Sequence, residues 1–138
     1  MGAKDRFHDT VKRALEKDGW TIVANPLQFK FGNVKFEVDL AGDRLIVAER
    51  EAEKIAVEVK SFLRASTITD FYAALGQFLS YRLGLRETEP DRVLYLAVPD
   101  DTYQRFFQLE FTQAAVKEYN LFIVVDDYVN EEIVQWIK

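Results

Sequence analysis

The sequence predicts an α/β sandwich with a mixed central sheet, and three observations carry that expectation. An amphipathic run opens the chain, segments with period-two alternation fill the stretch from Trp20 to Phe62, and helical and strand patterns then alternate to the end. The succession is helix, a meander of strands, helix, strand, helix, strand, and its first part reads αβββαβ. With 138 residues, 49% of them hydrophobic, the chain has the material for one core, so a single domain over residues 1–138 is expected.

Between Asp5 and Lys17, Phe7, Val11, Ala14 and Leu15 recur at helical spacing among charges, and Gly19 follows where a left-handed cap belongs. Trp20 to Ala24 is β-prone, and Asn25-Pro26 breaks it. Leu27, Phe29 and Phe31 alternate with polar residues up to Gly32-Asn33, a two-residue hairpin signal that leads into a strand from Val34. The meander is expected to turn at Ala41 to Asp43 and again in the charged stretch Glu51 to Lys54.

After Phe62 the period changes. Phe71, Ala74, Leu75, Phe78, Leu79 and Arg82 share a helical face, Thr67-x-x-Asp70 resembles a capping box, and the helix is expected to end near Gly84. Val93 to Val98 reads as a buried strand, Asp101 to Phe107 and Phe111 to Tyr119 as helices, and Leu121 to Val125 and Ile133 to Ile137 as closing strands.

The run from Val34 to Phe62 carries the chemistry. Ile55, Val57 and Val59 alternate with Ala56, Glu58 and Lys60, so one strand face is aliphatic and the other sets a carboxylate beside an ammonium. In Val34 to Leu40 the same alternation sends Asp39 out on the polar face. Two carboxylates can hold magnesium and a lysine can orient or activate water, the layout of a phosphodiester hydrolase. Blander readings stand beside this one. Glu58 and Lys60 also suit a solvated strand face, although a strand this aliphatic should be central, where paired charges need a reason. Asp39 also suits a strand end that satisfies a turn amide.

Composition sets bounds. No cysteine is present, which excludes disulfides, thiolate metal sites and cysteine nucleophiles and suits a reducing cytoplasm. No apolar run reaches the length of a membrane span, and Met1 to Lys17 has no signal-peptide core, so a cytoplasmic protein is expected. A net charge of −5 argues against coating nucleic acid by bulk electrostatics, while a local basic patch could suffice.

The succession, with Asp39 ahead of Glu58-x-Lys60, resembles the restriction-endonuclease-like PD-(D/E)XK nuclease fold. The segments FHDTVKRALEKDGWTI, VDLAGDRLIVAE, IAVEVKSF, ALGQFLSYRL and EPDRVLYLAVP resemble the XisH family, the fdxN-element excision controlling factors of cyanobacteria, from Phe7 to Trp136. That resemblance implies a factor in heterocyst differentiation that works with an XisI-like partner, on DNA, beside a separate site-specific recombinase. No recombinase signature of its own is visible.

From the nuclease superfamily, the resemblance implies Asp39 and Glu58 as ligands of Mg2+ or Mn2+, the Val59 carbonyl as a backbone ligand and Lys60 as the residue that positions water. Glu37-Val38 stands where that pattern has proline, and the interval to Glu58 is long, which makes Glu49 the substitute first ligand; Glu49 also reads as a hairpin surface charge. Gln77-x-x-x-Tyr81 is similar to the Gln-Tyr motif of RecB-like nucleases, with a polar core gap and plain packing as the other readings. His8 is similar in location to the first-helix acid or histidine of some of these enzymes, or serves as a helix-flank or packing residue. A homodimer suits a duplex-cutting enzyme, though no residue pattern demands one. The same fold could instead be a non-catalytic regulator that binds the XisI-like partner.

Overall fold

The computed structural model describes residues 3–46, 51–62 and 66–138. A helix, α1 (Ala3–Lys17), opens the chain and ends at Gly19, whose φ of 93° is the left-handed conformation that glycine adopts without strain. Strands β1 (Thr21–Ala24), β4 (Leu40–Ile46), β5 (Glu51–Val59), β6 (Arg92–Pro99), β7 (Ile123–Asp127) and β8 (Glu132–Ile137) form a six-stranded sheet in the order β1-β4-β5-β6-β7-β8. The β5/β6 and β6/β7 pairs are parallel and the others antiparallel. The fold is therefore mixed α/β, as the sequence suggests. No helix among the described residues is long and apolar enough to cross a membrane.

Parallel neighbours need crossovers. Helix α2 (Thr67–Thr88) joins β5 to β6, and α3 (Asp100–Arg105), a 3-10 turn (Phe106–Gln108) and α4 (Glu110–Glu118) join β6 to β7. Both crossovers step the same way along the sheet, so their common handedness puts these helices on one face and leaves the other to α1. Two buried clusters follow. Phe71, Phe78, Leu96 and Phe107 fill the α2 side, and Phe7, Val11, Val57 and Trp20 fill the α1 side.

Strands β2 (Leu27–Phe31) and β3 (Val34–Val38) pair as the Gly32-Asn33 signal predicts, but they form a sheet of their own. The seamless alternation from Val34 to Leu40 conceals a break, because Asp39 is a bend between β3 and β4. Val38 packs in the α2-side cluster and Leu40 in the α1-side cluster, on opposite faces, whereas residues two apart in one strand would share a face.

Other expected boundaries are corrected. Ala41 to Asp43 is not a turn but the interior of β4, where Gly42 lies against Trp20 and a Cβ would make ordinary contact 3.7 Å from its side-chain atoms. Glu51 to Lys54 is strand, held by cross-strand charge pairing in which Arg44 lies opposite Glu53 and donates to its Oε1 at 2.9 Å. The cap of α2 is Ser66, whose hydroxyl accepts from the Thr69 amide, rather than Thr67. Helix α2 also runs past Gly84 to Thr88. Gly84 is not a stop signal; Phe29 and Phe36, stacked with centroids 4.9 Å apart, lie against its bare Cα.

The two interior glycines of α2 make a controlled pair. A Cβ at Gly84 would stand 2.8 Å from the Phe29 ring, whereas at Gly76 it meets nothing within 4 Å. Gly76→Ala should stabilise the protein by up to about 1 kcal/mol through helix propensity. Gly84→Ala should destabilise it by about 1 kcal/mol, since overpacking of about 1–3 kcal/mol exceeds the propensity gain, and Gly84→Val by more. Urea denaturation of the three variants measures the difference.

Candidate functional site

Strand β5 lies inside the sheet between β4 and β6, so its aliphatic residues Ile55, Val57 and Val59 are buried against α1. Its other face carries Ala56 and then Glu58, whose side chain is 10% exposed beneath α2. The break at Asp39 brings a second carboxylate to the same place. Asp39 Oδ2 accepts from the Val59 amide at 2.8 Å, and the Asp39 amide donates to Glu58 Oε1 at 3.3 Å. Glu58 Oε2 lies 3.5 Å from Lys60 Nζ. Lys60 stands just past β5, its amide donating to Ala97 O at 3.0 Å.

Two helices complete the cleft. From α1, His8 places Nδ1 3.9 Å from Asp39 Oδ1, while its Nε2 shares a 2.7 Å hydrogen bond with Asn25 Oδ1. From α2, Gln77 lines the same opening. Tyr81, one turn on, has its hydroxyl pKa raised by burial and by the charges of Glu58 and Asp39. The cleft has a volume of about 480 Å³. Asp39, Glu58, Lys60, His8, Gln77 and Tyr81 thus lie together, although they are spread in sequence from His8 to Tyr81; Glu49 lies outside the described residues.

Burial and the neighbouring Asp39 push the Glu58 carboxyl up to about 7, with Lys60 opposing. Two carboxylates this close disfavour ionisation together unless a cation joins them. In an extended residue the N–H and C=O leave the same strand edge, so the Val59 carbonyl faces the side from which Asp39 takes its amide. This donor set fits Mg2+, which binds through one or two carboxylates and keeps several waters. Among the described residues, no group of three or more His, Asp or Glu is placed to hold a metal by itself.

With this geometry established, the chain can be compared with known proteins. The model of the XisH family, described as XisH protein, matches residues 1–134. The chain belongs to the XisH family. The crystal structure of an XisH family protein from Nostoc punctiforme is 50% identical, with a TM-score of 0.90 over 97% of this chain and 100% of that one. An fdxN element excision controlling factor protein from Anabaena variabilis is 49% identical, with a TM-score of 0.89 over 97% of this chain and 99% of that one. The comparison with curated proteins gives no match.

Two residues of this XisH cleft escape the sequence reading. Asn25 anchors His8, yet Asn-Pro reads only as a strand breaker; Asp70 lines the cleft, yet in the first turn of a helix it reads as a cap. Away from the cleft, Asp126 on β7 is 1% exposed, and burial pushes its carboxyl up to about 7 as well.

Glu58 and Asp126 therefore bind protons more tightly folded than unfolded, where values of 4.5 and 3.8 apply. Their contribution to stability is full at acid pH and is lost as pH rises through about 7. In EDTA, Tm should be higher at pH 5.5 than at pH 8. Glu58→Gln should raise Tm at pH 8 by several degrees, because it relieves a burial cost on the order of a few kcal/mol, and should flatten the pH profile. Calorimetry across this range checks the sign; a wild-type Tm that climbs from pH 5.5 to 8 would contradict it.

Proposed function

We propose that this chain is an accessory factor for programmed excision of a DNA element, acting as a Mg2+- or Mn2+-dependent DNA endonuclease of restriction-endonuclease-like fold. In this reading it is one domain over residues 1–138 and works in the cytoplasm. The observation that carries the reading is the meeting of Asp39, Glu58 and Lys60 at one end of a central strand, with Glu58 buried. Support for the fold comes from the order of parts: α1, an antiparallel unit ending in β5, then the β5-α2-β6 crossover. Support for the role in excision comes from the 49% identical Anabaena variabilis protein.

Asp39, Glu58 and the Val59 carbonyl would hold the cation. When bound, it would stabilise the charge that develops on the scissile phosphate. Lys60 Nζ, on the cleft side of Glu58, holds the attacking water and favours its hydroxide form. His8 is anchored by Asn25 and keeps the outer oxygen of Asp39 in place. Gln77 and Tyr81 flank the substrate from α2.

A specific observation favours a second reading. Both Glu58 oxygens and Asp39 Oδ2 already have partners within the protein, and the Anabaena variabilis relative is called a controlling factor, not a nuclease. In that reading the chain is a non-catalytic regulator that binds an XisI-like partner and directs a recombinase.

Supercoiled, linear and branched DNA incubated with the protein and Mg2+ or Mn2+, with and without the XisI-like partner, separates the two. The nuclease reading expects cleavage that falls by about 100-fold or more in Lys60→Ala, as for loss of a group acting on the transition state. Intact DNA under every condition, with unchanged partner binding in Lys60→Ala, selects the regulator.

A further inference from the structure

The β2-β3 hairpin leaves the cleft at Asp39 and stands apart from the main sheet. One face is accounted for: Phe29 and Phe36 pack on α2 at Gly84. The other face is exposed and carries two cross-strand pairs of different character. Gln28 opposite Glu37 is complementary, with Gln28 Nε2 donating to Glu37 Oε1 at 3.2 Å. Nearer the tip, Lys30 lies directly opposite Lys35. Like charges at opposed positions destabilise a hairpin, and neither lysine has an ion-pair partner among the described residues. In a chain of net charge −5, the carboxylate that this hairpin face does carry, Glu37, is engaged by Gln28 and pairs with neither lysine.

We propose that this hairpin is a duplex-DNA contact arm, whose Lys30/Lys35 pair neutralises backbone phosphates beside the cleft. The inference rests on the nuclease reading for its substrate and extends it by naming where the duplex lies. Lys35 stands four positions before Asp39, so the pair lies roughly 13 Å along the strand from the first carboxylate. Duplex DNA rises about 3.4 Å per nucleotide of each strand, which puts the contacted phosphates about four nucleotides from the cleft. A two-stranded ribbon is also narrow enough to lie along the major groove, between phosphate rows that both lysines can reach.

The test is fluorescence anisotropy of the full chain on a labelled duplex in Ca2+, over about 50 to about 200 mM salt. Lys30→Thr with Lys35→Thr should weaken binding about 10-fold or more and reduce the slope of log affinity against log salt by about 2, one unit per phosphate contact. The double arginine variant, Lys30→Arg with Lys35→Arg, should keep both affinity and slope. Tm of the double threonine variant should equal or exceed that of wild type, because a repulsive pair is gone and threonine suits a strand; this separates lost contact from lost fold. Unchanged affinity and slope in the double threonine variant would overturn the arm while leaving the cleavage result standing. A wild-type protein that binds no duplex at any salt would overturn both.

Discussion

A bend at Asp39 joins two otherwise separate pieces of β-structure, and the hydrogen bond from the Val59 amide to its carboxylate fixes that bend to the central strand. Its position is set from both sides. Val38 is locked into the core beneath α2 and Leu40 into the core beneath α1, each fully buried, so the residue between them has little freedom. Its carboxylate then meets Glu58, which is on the same strand as the amide it accepts. Close-packed interiors transmit such constraints because they lack the space to absorb them. The pairing of two acids is thus a consequence of core packing more than of their mutual chemistry, which is repulsive.

That repulsion has a structural cost, and the surrounding fold bears it. Glu58 has Lys60 and the Asp39 amide as partners, yet burial and Asp39 outweigh them and its carboxyl holds a proton up to about 7. A glutamine in its place would satisfy the same amide without the charge. Sites that act on substrates commonly retain groups that a stability optimum would replace, and Glu58 has that character.

How much of this was legible depended on whether a signal was local. The Gly32-Asn33 hairpin, the alternation of Ile55, Val57 and Val59, and the Gly19 cap are decided by a few adjacent residues, and the chain folds there as its sequence reads. Gly42 and Gly84 defeat the same reasoning, because each lies inside an element against an aromatic ring distant in sequence, Trp20 in one case and Phe29 in the other, and the chain alone offers only a small residue that resembles punctuation. The break at Asp39 left no mark, since alternation continues unbroken through it; only assignment of Val38 and Leu40 to opposite layers exposes it. Within the cleft, Glu58 and Lys60 follow from period two, but the approach of His8 and the Asn25 that anchors it depend on how α1 crosses the sheet.

The two ends of β5 allow an internal comparison of buried charge. Beside the start of the strand, Arg92 is 9% exposed and richly paired: its Nη1 donates to Gly42 O, Ile55 O and Asp43 Oδ1, and its Nε to Glu89 Oε1. A charge held for structure is compensated in this way, by fixed acceptors on every side. Near the other end Glu58 is equally buried but faces a second carboxylate and a single ammonium 3.5 Å away, beside an open cleft. The same sheet therefore tolerates one buried ion, on β6, by satisfying it and another, on β5, by leaving negative charge in excess. Such an excess, oriented toward solvent-accessible space, is what recruits a cation, and it is on this asymmetry that the hydrolytic reading has its physical footing.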